Sequence, residues 1–209
     1  MALDLVGIDN ENDFFSQHYV DSLLERDIAG GTEPAVSWER VRTAWRKAFR
    51  DWEKAPQPEQ QLAALRPILE NLGYDVQPGF QASEGYEVPV WSACLSPTGG
   101  VELLVIPTLP PGVGVDDESD RDPLGWSIDG IEGTSAEDAL GKVVFALASP
   151  PRWVLLCNIR QIVLIERGKW SQRRILRFDW QTILDRCSAT TLRVVVALLG
   201  KNSLVPVTG

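Results

Sequence analysis

The chain has 209 residues, 44% hydrophobic and 23% charged, with a net charge of -9. That length suits one ordinary domain with an appended arm and can bury about 70% of the unfolded surface. The composition excludes wholesale disorder, a collagen-like or low-complexity chain and a coiled coil, and the longest apolar runs, Val194 to Leu199 and Leu103 to Ile106, fall short of the roughly 18 residues of a membrane span.

No membrane partner is therefore expected. The opening thirty residues carry seven acidic groups and no basic leader, so no secretory signal is expected either. Cys94, Cys157 and Cys187 are odd in number and widely spaced, which suits a reducing, cytoplasmic setting and argues against a disulfide frame or a zinc site.

Asn12 to Arg26 is predicted as a short helix, because Phe15, Tyr19, Leu23 and Leu24 recur at helical spacing. Gly30, Gly31 and Pro34 break it, and Ser37 is placed to cap the next helix. Along that helix Trp38, Val41, Trp45, Phe49 and Trp52 form one aromatic stripe. Arg42, Arg46 and Arg50 make a row beside the stripe, with Arg40 and Lys47 toward the other side. Pro56 and Pro58 read as a linker.

From Glu59 the pattern changes. Leu62, Leu65, Ile68, Leu69 and Leu72 predict a helix that Pro67 is placed to kink, with Gly73 at its left-handed end. Strands are predicted at Tyr74 to Gln77, Tyr86 to Leu95 and Val101 to Leu109, the last after a turn at Gly99 and Gly100. Residues 110–133, rich in Gly, Pro and Asp, read as an acidic excursion or flexible loop. Ser135 and Asp138 form a capping box for a helix to about Ala148. Trp153 to Cys157 and Ile162 to Glu166 are almost continuously apolar, as strands covered on both faces are. Arg174 to Phe178 is a further strand, Asp179 caps a helix ending near Cys187, and a last helix runs from about Thr190 to Leu199 and stops at Gly200.

The expected fold is α/β: a mixed sheet with flanking helices, preceded by a helical N-terminal arm. The division falls into residues 1–57, an acidic helix then an arginine- and tryptophan-rich one, and residues 58–209, the α/β domain.

Charge is segregated. Residues 1–36 hold one basic and eight acidic groups and residues 59–140 hold two and fifteen, whereas residues 37–58 hold six basic against three acidic and residues 141–209 eleven against three. Basic segments in an acidic chain can present a local positive face to a polyanion, or can pack against the acidic segments.

Most catalytic chemistries lack their parts. His18 is the only histidine and stands far from any glycine-flanked serine, as a surface or capping histidine would. Gly99-Gly100 and Gly112 to Gly114 lack the lysine or spacing of a phosphate-binding loop. The order of elements resembles that of metal-dependent nucleases, where two carboxylates hold magnesium and a lysine helps to activate water. Glu84 or Glu87 and Glu102 could take the acidic places, or could be solvated residues at strand ends. Leu104 stands where the lysine is expected, and no lysine lies between Lys54 and Lys142.

The eight tryptophans could stack on bases, but a stripe such as Trp38, Trp45 and Trp52 is more often core. The basic residues are the better nucleic-acid candidates: Arg42, Arg46 and Arg50, with Arg40 and Lys47 on the same helix, and Arg160, Arg167, Lys169, Arg173 and Arg174 around the late strand turns. Each could instead pair within the molecule.

Two stretches, Asn12-Asp-Phe-Phe-Ser-Gln-His-Tyr-Val20 with Leu24 and Asp27, and Ser149-Pro-Pro-Arg-Trp-Val-Leu-Leu156 with Ile165-Glu-Arg-Gly-Lys-Trp170 and Leu176-Arg-Phe-Asp179, together resemble the opening region of large bacterial DNA methylases. The family is the type IIG-like restriction-modification and phage-defence group that includes the methylases of BREX and DISARM loci. The resemblance spans about residue 8 to the end. It implies a degenerate restriction-endonuclease-like fold, leading a chain whose later part is a SAM-dependent adenine DNA methyltransferase. No SAM-binding glycine motif and no Asn-Pro-Pro-Tyr or Asp-Pro-Pro-Tyr tetrapeptide occurs here, so the segment itself is expected to hold no cofactor and to be non-catalytic, with magnesium only if Glu87 and Glu102 serve a nuclease. The implied partners are duplex DNA, the parent's methylase domain and subunits of a defence complex.

Overall fold

In the computed structural model, residues 5–29, 38–83, 85–97, 99–110 and 122–206 are described. Ser37, Gly30, Gly31, Pro34, Glu84, Gly112 to Gly114 and most of the acidic excursion lie outside them.

Three apolar runs lie side by side: β5 (Val101–Pro107), β6 (Trp153–Cys157) and β7 (Gln161–Glu166). They are central in a six-stranded sheet that also contains β1 (Ile8–Glu11), β4 (Ser92–Leu95) and β8 (Ile175–Asp179), in the order β1-β8-β7-β6-β5-β4. β5 and β6 run parallel, with Leu104 opposite Val154, and every other neighbouring pair in the sheet is antiparallel. β2 (Gly79–Ser83) and β3 (Tyr86–Val90) form a separate two-stranded sheet.

Alternation along the central strands divides the core. Leu103, Val105, Leu155, Ile162, Leu164 and Phe178 pack with the aromatic stripe of α2 (Trp38–Lys54), with α3 (Pro58–Asn71) and with the late helices α6 (Trp180–Arg186) and α7 (Ala189–Leu199). Leu104, Ile106, Val154, Leu156, Val163 and Ile165 pack on the other face with Val88 and Val90, Leu124, Ile128 and α4 (Ala136–Ala139). Strands buried on both faces need no polar alternation, hence their continuous apolar runs.

Several boundaries differ from expectation. Ile8–Glu11 is an edge strand paired to β8 rather than the run-up to a helix. The first helical segment is a π-turn, Tyr19–Leu23, continuing as α1 (Leu24–Ala29). Tyr74 to Gln77 is irregular rather than a strand: Tyr74 is turned inward, its hydroxyl donating to the Leu199 carbonyl at 2.7 Å. Tyr86 to Leu95 breaks at Trp91, so its two halves join different sheets. Pro58 is the first residue of α3 instead of a linker residue, a place where its fixed φ and missing N–H cost nothing. α2 and α3 therefore form a tight helical hairpin. Residues 122–133 are not loose: Leu124, Trp126, Ile128 and Ile131 are buried.

Other local expectations agree. Gly73 has φ +89 at the end of α3, and the Tyr74 N–H returns to the Leu69 carbonyl at 3.0 Å. Asp179 caps α6 by accepting from the Thr182 N–H at 3.0 Å, and Ser135 accepts from the Asp138 N–H at 3.3 Å. The helices expected as an arm share the sheet's larger core, so residues 57 and 58 mark no break in packing. No helix among the described residues is long and apolar enough to cross a membrane.

Candidate nucleic-acid interface

The sheet distributes the expected cations between its two ends. Arg160 precedes β7 and Arg167 follows it, and six extended residues hold them about 20 Å apart. Arg42, Arg46 and Arg50 lie on the Arg160 side. Lys169 in α5 (Arg167–Trp170), Arg173 and Arg174 lie on the other.

At the first end the row beside the aromatic stripe is largely engaged within the molecule. Arg42 meets Glu39 at 2.8 Å and Arg46 meets Asp185 of α6 at 2.6 Å. The Arg50 Nε donates to the Arg46 carbonyl at 3.2 Å. Arg160 donates to Gln181 at 2.8 Å and lies over the Phe49 ring, 4.6 Å from its centre. Cys187, beside this row, has its thiol pKa raised by partial burial and by Glu39, against the pull of Arg42 and Arg46. It is not an activated thiolate.

At the second end Lys169 and Arg152 share Glu166, at 3.2 and 3.1 Å. Lys169 also donates to the Phe14 carbonyl at 3.0 Å and caps the Phe14 ring, 4.2 Å from its centre. Arg173, at φ +49, meets Glu137 at 2.7 Å. Its carbonyl accepts from the Asn12 side chain at 2.8 Å. Arg167 is exposed and its side chain reaches the Pro150 carbonyl, at 3.4 Å, and Arg174 is half-buried.

One feature escaped the sequence reading. Arg177, in β8, donates to Glu11 and Asp122 at 2.7 Å each and to Gln161 at 2.9 Å. Burial opposes its charge, but these hydrogen bonds outweigh it and leave its pKa above the ordinary value. A charged residue at an inward position of an apolar strand was the available signal. On the outward side of α2 the expected candidates Arg40, Lys47 and Arg50 are exposed.

The nuclease parts are not brought together. Glu87 is exposed on β3, in the two-stranded sheet. Glu102 is half-buried at the start of β5 in the other sheet. Alternation places Leu104 on the side of Glu102, and Leu104 is sealed at 0% exposure. Among the described residues, no three His, Cys, Asp or Glu side chains are grouped to hold a metal ion. All tryptophans except Trp170 are buried, so the aromatic stripe is core and not a base-stacking platform.

Comparison of the chain with protein-family models, with curated proteins and with solved structures finds no match.

Proposed function

We propose that the chain is a degenerate restriction-endonuclease-like domain that performs no cleavage and holds duplex DNA, or docks a partner, for a SAM-dependent adenine DNA methylase of the restriction-modification or phage-defence type. The observation that carries the DNA-holding part is the end of the sheet around α5. In a chain of net charge -9, Arg152, Arg167, Lys169, Arg173 and Arg174 gather there against the paired carboxylates Glu166 and Glu137.

The family resemblance supports the reading, because its two sequence stretches are one structural unit. Lys169 of the second stretch donates to the Phe14 carbonyl of the first, and beside them β1 pairs with β8 and Asn12 holds Arg173. The sealed Leu104 supports the non-catalytic part, since a lysine there would have to be buried in the second core.

An anisotropy titration of fluorescein-labelled duplex DNA tests it. Binding at about 50 mM salt is expected, weakening as salt rises with a log-log slope near -0.9 per phosphate neutralised. Absence of binding to any duplex at that salt rejects DNA holding.

One observation favours a second reading, a protein-docking module. Phe80 is 66% exposed on β2, Tyr86 44% on β3 and Leu95 60% on the edge strand β4. The register sets Phe80 and Tyr86 on opposite faces of the two-stranded sheet, so they are separate exposed apolar groups, each of a kind that a protein partner covers. If Phe80→Ser with Tyr86→Ser releases a co-expressed methylase domain while DNA affinity is unchanged, docking is the better account.

A further inference from the structure

The geometry points to the outward face of α2 as the surface along which a nucleic-acid backbone runs, with Arg40, Lys47 and Arg50 as its phosphate contacts. This rests on the DNA-holding reading above and adds to it a second surface, apart from the end around α5.

Arg40, Thr43, Lys47, Arg50 and Lys54 recur at intervals of 3, 4, 3 and 4 residues and so lie in one line along the helix. The buried stripe of Trp38, Val41, Trp45, Phe49 and Trp52 occupies the opposite side. At 100° per residue the two lines differ by about half a turn, so burying the aromatics aims the cations directly at solvent.

These cations differ from their neighbours in having no carboxylate partner among the described residues. Arg42 and Arg46 already meet carboxylates, at 2.8 and 2.6 Å, and Lys54 lies 3.6 Å from Asp51. Among the described residues no carboxylate pairs with Arg40, Lys47 or Arg50. In a chain with 29 acidic and 20 basic groups, three exposed cations without a carboxylate partner are open to an anion from outside.

The face also selects the kind of anion. Every residue on the line is exposed and none is apolar. A protein interface needs an apolar centre to desolvate, whereas phosphate contacts need only correctly placed cations. From Arg40 to Arg50 the helix advances about 15 Å, the axial rise of roughly four phosphates on one DNA strand. The platform is rigid. Trp45 is hydrogen-bonded to the Ile159 carbonyl at 3.1 Å, and Trp38, Trp45 and Trp52 stack on Trp180, Phe49 and Trp126 respectively.

The test uses the full chain and a short labelled duplex, with wild type compared to R40Q/K47Q/R50Q and to R167Q/R173Q/R174Q. The α2 variant is expected to bind about tenfold or more weakly, with a salt slope flatter by about 2.7 for three lost phosphate contacts. Its thermal melt should match wild type, because among the described residues no hydrogen bond or ion pair joins the three exposed side chains to another element; Lys47→Glu alone should weaken binding in the same direction. If wild type binds while both α2 variants keep its affinity and slope, the α2 assignment is overturned and DNA holding stands. If wild type binds no duplex, the DNA-holding reading itself fails and this inference goes with it.

Discussion

The indole N–H of Trp45 donates to the carbonyl oxygen of Ile159 at 3.1 Å, joining α2 to the turn between β6 and β7 across 114 residues of sequence. Trp45 is 2% exposed and stacks on Phe49 at 4.7 Å. This bond sets the rotation of α2 about its own axis, and hence which cations meet solvent.

Trp45→Phe removes the donor and part of the ring, and leaves the Ile159 carbonyl buried without it. Stability should fall by about 2 to 4 kcal/mol, combining a lost buried hydrogen bond with a cavity. A urea melt followed by circular dichroism measures it, and a loss below about 0.5 kcal/mol would mean that α2 is held by packing alone.

Arg177 ties the first strand to the segment that follows the acidic excursion. With 15% of its side chain exposed, it meets Glu11 and Asp122 together. Arg177→Met leaves two carboxylates facing each other without a cation, and should cost about 1 to 3 kcal/mol, less than a fully buried pair because Glu11 and Asp122 keep some water. Arg177→Lys should recover only part of this, since an ammonium cannot span both acids as the guanidinium fork does. Chemical denaturation of both variants checks the order.

Leu104 stands where the nuclease reading expects its lysine. Leu104→Lys places an ammonium at a 0% exposed position among Val154, Leu156 and Ile128. It should destabilise the fold by about 3 kcal/mol or more and create no nuclease. Supercoiled plasmid incubated with magnesium should stay intact with wild type and with Glu102→Ala alike. Nicking that disappears in Glu102→Ala would restore the nuclease reading.

Alkaline pH should unfold the protein early. Tyr74 is 2% exposed, and burial first, then the thiols Cys94 and Cys157, raises its pKa well above 10.0. Burial also holds the Cys157 thiol protonated far above the ordinary 9.0. Above about pH 9 to 10 the unfolded chain releases these protons while the folded chain keeps them, so the unfolded state binds fewer protons and stability falls as pH rises. Tyr74→Phe should lower stability at pH 7 by about 1 kcal/mol through the lost bond to the Leu199 carbonyl, yet decline less steeply above pH 10. Parallel declines would assign the alkaline loss to other groups.

Legibility in the sequence followed the range of the interaction. The stripe from Trp38 to Trp52, the caps at Asp179 and Ser135 and the turn at Gly73 depend on residues within a turn or two, and each was readable. The strand of Ile8–Glu11 was not, because its partners in β8 lie over 160 residues away and its own composition is polar. Tyr74 to Gln77 looked like a strand because Tyr74 and Val76 alternate with polar residues. The same alternation serves an irregular segment whose apolar side chains are drawn into the helical core.

The same division runs through the candidate site. Composition and order along the chain revealed where positive charge concentrates and that no lysine could follow Glu102 at the expected spacing, since both are properties of covalent neighbours. Which cations stay available to a ligand was settled in three dimensions. Asp185 takes Arg46, Glu166 takes Arg152 and Lys169, and the anchoring of α2 leaves Arg40, Lys47 and Arg50 facing water. Pairs three residues apart, such as Glu166 with Lys169 and Glu39 with Arg42, can be read along the chain, but Asp185 meets Arg46 only because folding brings residues 139 apart within a few ångströms, a distance that no linear pattern encodes.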